Sequence, residues 1–340
     1  LISSLSLILG TTITISSTHW MMAWAGLELN TLAIIPLISK SHHPRAIEAT
    51  IKYFLVQATA STLLLFSSMM NAWSTGQWDI TQLTHPTSTL LLTVAIAMKL
   101  GLVPFHFWFP EVLQGSPLTT ALLLSTMMKF PPIALLSLTT HSLNPTLLTT
   151  LAIASVALGG WMGLNQTQLR KILAFSSTAH LGWMAAVIIY NPKLALLTFY
   201  VYALTTTTVF LALNSTKALK LTTLMTSWTK YPTLNATLML VLLSLAGLPP
   251  LTGFLPKWFI IQELTKQEMT PTATILATLS LLSLLFYLRL AYHSTITLPP
   301  NSTNQTKHWH FIKPTSTTTA ILATLSTLIL PLSPLILAAT

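Results

Sequence analysis

Long apolar runs alternate with short polar punctuation along the whole chain. Stretches free of Asp, Glu, Lys and Arg cover residues 1–27, 53–78, 80–98, 130–169, 172–192, 194–216, 231–256, 269–288 and 314–340. Each is near or above the roughly 18 apolar residues that mark a membrane-spanning helix. Broken at Pro, Gly, Asn and charge clusters, the runs predict eleven helices near 1–17, 20–38, 47–73, 87–109, 117–140, 146–164, 169–190, 193–213, 233–263, 270–292 and 317–338. The connections are too short for a soluble domain, and the longest, 214–232 and 293–316, are rich in Lys, Thr, Asn and Pro and belong on the surface. The expected architecture is an all-α polytopic membrane protein forming one integral membrane unit over 1–340. The opening run has no basic flank and no small-residue cleavage site, so it reads as a first span and not as a signal peptide. The absence of Met at position 1 leads us to expect a few residues before Leu1.

Composition sharpens the picture. Charged residues make up 6% of the chain, against about 25% in a soluble domain. Uncharged Ser and Thr replace the missing charge, which excludes a soluble enzyme and a disordered chain. With no Cys, disulfides, thiolate-held iron–sulfur clusters and zinc ribbons are excluded. The net charge of +10 comes from scattered basic residues with no stripe interleaved with aromatics, so it points to anionic phospholipid and not to nucleic acid.

The basic residues also orient the chain. Connections after even-numbered spans hold Lys40, Arg45, Arg170, Lys171, Lys217, Lys220, Lys230, Lys307 and Lys313, whereas the odd ones hold only Lys193 and Lys266. The positive-inside rule puts the even connections and the N-terminus on the inner side, and the C-terminus on the outer side.

Ionisable residues inside the spans carry the candidate chemistry: Glu28, Lys52, Lys99, Lys129, Lys257 and Arg289. Each costs at least about 2.5 kcal/mol at bilayer depth, so several together point to function. The span near 87–109 contains MKLGLVPFHFWFPE (98–111) and the span near 233–263 contains AGLPPLTGFLPKW (246–258). Their prolines and glycines predict two interrupted helices, each with a lysine at the break, Lys99 and Lys257. They are the fourth and ninth spans, an odd number apart, so they run in opposite directions, as an inverted-topology repeat requires. This divides the chain into N-terminal helices (1–73), a first broken-helix half (74–164), a second (165–292) and a surface connection with a C-terminal helix (293–340). The internal likeness is limited to a Gly/Pro break beside a Lys and a Trp, Lys99 with Trp108 and Lys257 with Trp258.

Lys129, in STMMKFPP (125–132), lies about eleven residues from either end of its span, too deep to snorkel cheaply, whereas Lys52 and Arg289 are expected to reach the headgroups. A buried lysine suits proton transfer because a neighbouring carboxylate can switch its protonation. Glu28 is the carboxylate placed to partner a buried lysine. Glu48 and Lys52, four apart, form either an ordinary helix pair or part of a functional group. No His pair has the spacing of a haem site on facing helices, so no metal is expected. His106 and His180 are candidate proton relays, with hydrogen-bonded structure as the alternative reading. The chain has no GxGxxG after a strand and no Walker lysine.

Five stretches, SSTHWMMAWAGLELNTLAIIPL, SKSHHPRAIEATIKYFLVQA, AMKLGLVPFHFWFPEVLQG, GGWMGLNQTQLRKILAFSSTAHLGWM and LSLAGLPPLTGFLPKWFIIQEL, resemble the vertebrate mitochondrial family of NADH:ubiquinone oxidoreductase chain 2, a membrane-arm subunit of respiratory complex I. That family is in turn similar to subunits of multisubunit cation/proton antiporters. The resemblance implies a proton-pumping module of the mitochondrial inner membrane, N-terminus to the matrix and C-terminus to the intermembrane space. It implies no NADH, flavin or quinone site in this chain, with FMN and iron–sulfur clusters in other subunits. The partners implied are other membrane-arm subunits and phospholipid, cardiolipin in particular. Carried over by motif, the proton-transfer residues are Glu28, Lys99, Lys129 and Lys257. Read from the residues alone, a stand-alone secondary antiporter and a structural scaffold whose lysines bind lipid or partner helices remain alternatives.

Overall fold

Proline sets many of the helix starts. Pro44, Pro86, Pro145, Pro192 and Pro232 each open a helix, where the missing N–H has no partner to lose. In this computed structural model, residues 2–229, 231–295, 317–328 and 330–332 are described. The helices are α1 (Ile2–Ser16), α2 (Trp20–Ser39), α3 (Pro44–Thr75), α4 (Pro86–Leu100), α5 (Trp108–Gly115), α6 (Leu118–Ser125), α7 (Phe130–Leu138), α8 (Pro145–Gly163), α9 (Leu169–Val187), α10 (Pro192–Thr216), α11 (Leu221–Thr226), α12 (Pro232–Ala246), α13 (Phe254–Lys266), α14 (Thr270–Thr295) and α15 (Thr317–Leu328). The expected last span continues past 328 and the 293–316 connection past 295 into residues outside the described ones. Among the described residues the fold is helical with no strand.

Among the described residues, six helical segments are long and apolar enough to cross a bilayer unaided: α2, α3, the α6–α7 run, α8, α10 and α14. α4 and α12, 15 residues each, are too short for a ~30 Å core and continue after their breaks as α5 and α13. The span expected over 117–140 is not one helix. α6 stops at Ser125, a 3₁₀ turn spans Met127–Lys129, and α7 resumes at Phe130. Pro131 and Pro132 cause this: their rings would clash with the carbonyls of Met127 and Met128 in a continuous helix. The expected 214–232 connection carries the short helix α11.

The connections sort by parity. Leu169 N–H bonds to Leu219 O and Leu221 N–H to Thr167 O, joining two even connections. Trp20 N–H bonds to Trp78 O and Ile80 N–H to Thr18 O, joining two odd ones at the opposite end of the bundle.

Two apolar clusters fill the interior, one toward each end, and several helices pass from one to the other through a polar section. On α2, Leu27 belongs to one cluster and Ile34 to the other, with Glu28, Asn30 and Thr31 between. On α9, Leu169, Ile172, Leu173 and Ala174 belong to one and Leu181 and Trp183–Val187 to the other, with Ser176, Ser177, Thr178 and His180 between. On α10, buried Thr205, Thr206 and Thr208 fill the same gap. The result is a polar layer at mid-depth, sealed above and below by apolar packing. α9 is its central strut and is buried along almost all of its length. It lies close against α8, where a Cβ on Gly159 would meet Ala179 N at 2.9 Å, the small-residue contact typical of membrane bundles.

Candidate functional site

Both broken helices end their first half in the same way. Gly101 (φ 75) and Gly247 (φ 84) take the left-handed conformation that side chains disfavour. Gly101 N–H and Leu102 N–H bond back to Ala97 O, at 2.9 and 3.0 Å, and Gly247 N–H and Leu248 N–H bond back to Ser244 O and Leu243 O, at 2.9 and 3.5 Å. These are Schellman-type ends. They stop each half-helix inside the bundle, where its last carbonyls present negative dipole to a cation.

Each second half-helix reaches back to the first. At the first break the Trp108 indole N–H donates to Met98 O at 3.2 Å; at the second the Lys257 amine donates to Ala246 O at 2.8 Å. The tryptophans paired by sequence are therefore not equivalent: Trp108 is 7% exposed and Trp258 55%. Trp108 and Lys257 occupy corresponding roles instead.

The expected site residues fall into the mid-depth layer. Lys99, on the last turn of α4, is 5% exposed and Lys129, ending the 3₁₀ turn, is 2% exposed. They line one small cavity of about 20 Å³ together with Asn30, Tyr53, Gln57 and Trp108. The Lys129 amine sits over the Phe109 ring, 4.3 Å from its centroid, and 5.5 Å from that of Tyr202, a cation–π arrangement. The Tyr202 ring lies 5.4 Å from His180, and both line a second cavity of about 20 Å³ with Lys257. His180 is within Coulombic reach of both Lys129 and Lys257 and has the Leu245 carbonyl beside its ring. Glu28 on α2 is within Coulombic reach of Lys99 and Tyr53. The expected Glu28–Lys99 pair is not a direct contact: the buried Glu28 Oε2 and Lys99 Nζ have no hydrogen-bond partner among the described residues. The order across the bundle is Glu28, Lys99, Lys129, Tyr202 with His180, Lys257.

His106 stands apart. It is buried in the first break, with Nε2 3.4 Å from Met162 Sδ and its ring against Phe107 and Phe175. Of the two residues expected to snorkel, Arg289 does otherwise, while Lys52 is at the surface and forms the expected pair with Glu48. Arg289 donates to Leu164 O and to Gln166 O, satisfying carbonyls at the C-terminal end of α8. Lys52 lies 2.5 Å from both Glu48 Oε1 and Glu111 Oε2, tying α3 to α5 at the surface. Asn30, Tyr53 and Tyr202 escaped the sequence reading, since an amide or a phenol in an apolar run has no signature until the partner helices are in place. Among the described residues, no three His, Cys, Asp or Glu side chains gather as a metal site would.

Comparison with known proteins bears directly on this arrangement. Residues 17–286 match the family described as "NADH:quinone oxidoreductase/Mrp antiporter, TM", and residues 284–337 match "NADH dehydrogenase subunit 2 C-terminus". The NADH-ubiquinone oxidoreductase chain 2 of Struthio camelus is 76% identical over 339 residues, covering 100% of this chain and 98% of that one. The chain belongs to the NADH-ubiquinone oxidoreductase chain 2 family. Another family member, from Gallus gallus, is 75% identical over 337 residues, covering 99% and 97%. A chain in the structure of respiratory complex I from Thermus thermophilus with bound aureothin superposes with a TM-score of 0.84 at 27% identity, covering 97% of this chain and 78% of that one. A chain of the Mrp complex from Dietzia sp. shares the fold at 17% identity, TM-score 0.81, covering 98% and 75%. The chain thus has the antiporter-like fold, with its discontinuous helices at the two breaks described above.

Proposed function

We infer that the chain works as a proton-translocating, antiporter-like membrane subunit of mitochondrial respiratory complex I, and that the buried line from Glu28 to Lys257 is its proton route. The observation that carries the route is the sharing of cavities: Lys99 and Lys129 line one, His180, Tyr202 and Lys257 line the next, and the Lys129–Tyr202 contact joins them. In this reading Glu28 biases Lys99 electrostatically at one end, Lys129 is the mid-membrane carrier, His180 relays, and Lys257 is the far gate, held to the end of α12. Each amine can take up and release a proton, and the apolar clusters on either side keep bulk water from short-circuiting the layer. His106, packed on Met162, is a structural residue of the first break in this scheme.

Residues 74–164 and 165–292 serve as the two halves of an inverted repeat. The even connections and the N-terminus face the matrix, following the basic-residue bias, and the C-terminus faces the intermembrane space. FMN and iron–sulfur chemistry belongs to other subunits of the complex, and the neighbours here are membrane-arm subunits and anionic phospholipid such as cardiolipin.

Lys129→Met tests the route, since methionine fills similar space without the charge. In proteoliposomes of the intact complex, protons pumped per NADH oxidised, or coupled turnover, should fall about tenfold, with assembly on native gels unchanged. Wild-type pumping from the assembled variant would remove Lys129 from the route and favour a scaffold role for it.

A further inference from the structure

Four side chains bring buried polar atoms to the cavity between Lys99 and Lys129: Asn30 with Nδ2, Tyr53 with Oη, and the two lysines with Nζ. None has a hydrogen-bond partner among the described residues. Their side chains are each 5% exposed or less. Leaving such a group unsatisfied costs about 1–3 kcal/mol, so four around one void call for a shared partner. The void, about 20 Å³, has room for about one water molecule. Its walls are firmly held. Trp108 packs edge-on against the Tyr53 ring at 5.7 Å while its indole N–H is fixed to Met98 O, and the next residue, Phe109, lies under the Lys129 amine. The first turn of α5 thus fixes Tyr53 with one ring and Lys129 with the next. Asn30 turns its Oδ1 to α1, where it is the nearest atom to a Cβ built on Gly10, and leaves Nδ2 for the cavity.

We propose that Asn30 and Tyr53 are positioning residues for proton transfer between Lys99 and Lys129, holding one water in the cavity that the four side chains share. The proposal rests on the reading of the two lysines as carriers. The chemistry balances without any co-reactant. The Lys99 ammonium gives a proton to the water, the water gives one of its own to the neutral Lys129 amine, and the water is regenerated. An N–H bond breaks at Lys99, one forms at Lys129, and one positive charge moves. The Asn30 amide nitrogen donates and the Tyr53 hydroxyl can accept, so the water accepts from the Lys99 ammonium and Asn30 through its two lone pairs and gives its two O–H groups to the Lys129 amine and Tyr53.

The test uses the intact complex. A cryo-EM map that resolves ordered water elsewhere in the membrane arm should show a density peak in this cavity, within hydrogen-bond reach of Tyr53 Oη and Asn30. Tyr53→Phe keeps the ring and removes only the hydroxyl. It should lower coupled NADH:quinone turnover about tenfold, leave KM for both substrates unchanged, and raise the solvent deuterium isotope effect above wild type, because the weakened transfer becomes rate-limiting. A variant that merely loosened packing would not raise the isotope effect. An empty cavity in such a map, or Tyr53→Phe with wild-type turnover and isotope effect, overturns the proposal. Lys99→Met and Lys129→Met run in parallel keep the two levels apart. If these fail to pump while Tyr53→Phe works normally, only the positioning role falls; if they pump normally, the carrier reading falls and takes this proposal with it.

Discussion

The Lys257 amine, on the first turn of α13, bonds to the carbonyl of Ala246, the last residue of α12, so a charge-bearing side chain closes the second break. At the first break the equivalent closure is the uncharged Trp108 indole. Lys257 therefore holds two half-helices together with the same nitrogen that would carry a proton, and its protonation state and the grip on α12 are linked.

Gly247→Ala is expected to disturb that grip more than Gly101→Ala disturbs the first break. Both positions have positive φ, so alanine costs roughly 1–2 kcal/mol at either. At Gly247 the added Cβ would also meet Lys257 Nζ at 2.8 Å, whereas at Gly101 the nearest atom is on the Trp108 ring at 3.5 Å, an ordinary contact. Coupled turnover of the two assembled variants, with melting of the complex alongside, should show a larger loss of both activity and stability for Gly247→Ala. Equal activity losses would show that the position of the Lys257 amine does not matter.

Glu28 and Lys99 should behave as an electrically coupled pair despite making no direct bond. Losing Glu28 removes the carboxylate nearest the Lys99 amine in effect, and the amine has no hydrogen bond in its place. In a double-mutant cycle of Glu28→Gln, Lys99→Met and the combination, the losses in log turnover should total clearly less than their sum, with the double variant close to the worse single one. Simple additivity would make them independent charges.

Sidedness can be read with single cysteines, because the chain has none of its own. Thr222→Cys in α11 and Gln77→Cys between α3 and α4 are both at exposed positions, in even and odd connections respectively. In mitoplasts, a membrane-impermeant maleimide should label Gln77→Cys and spare Thr222→Cys until detergent is added. The reverse pattern would invert the orientation, and labelling of both from outside would break the parity set by the Leu169–Leu219 and Trp20–Trp78 hydrogen bonds.

Most helices, both breaks and the three buried lysines were legible in the sequence, because each has a local signature: an apolar run, a Gly/Pro cluster, an ionisable residue out of place. What was not legible depends on tertiary placement. The interruption at Met127–Lys129 leaves the apolar run unbroken and shows only through the prolines that follow. Trp258 looked like the counterpart of Trp108, yet the reach-back at the second break comes from the residue before it. Arg289 is near a span end, and nothing local tells that the loop after α8 brings two free carbonyls to it. Asn30, Tyr53 and Tyr202 gain meaning only from helices that are distant in sequence.

α9 bears on how the protein is made. Sixteen of its 19 residues are buried, and its middle carries Ser176, Ser177, Thr178 and His180. A nascent segment leaves the insertion machinery for lipid when its own surface prefers hydrocarbon to water, and α9 offers lipid little surface of its own in the finished fold while its polar middle would be stranded there alone. It is poorly suited to wait in the bilayer as a solitary helix. Entry as a hairpin with α8, whose glycine-bearing face it already fits, hides the hydroxyls as they arrive. The helix at the centre of the proposed proton route is thus one whose insertion leans on its neighbour in the chain.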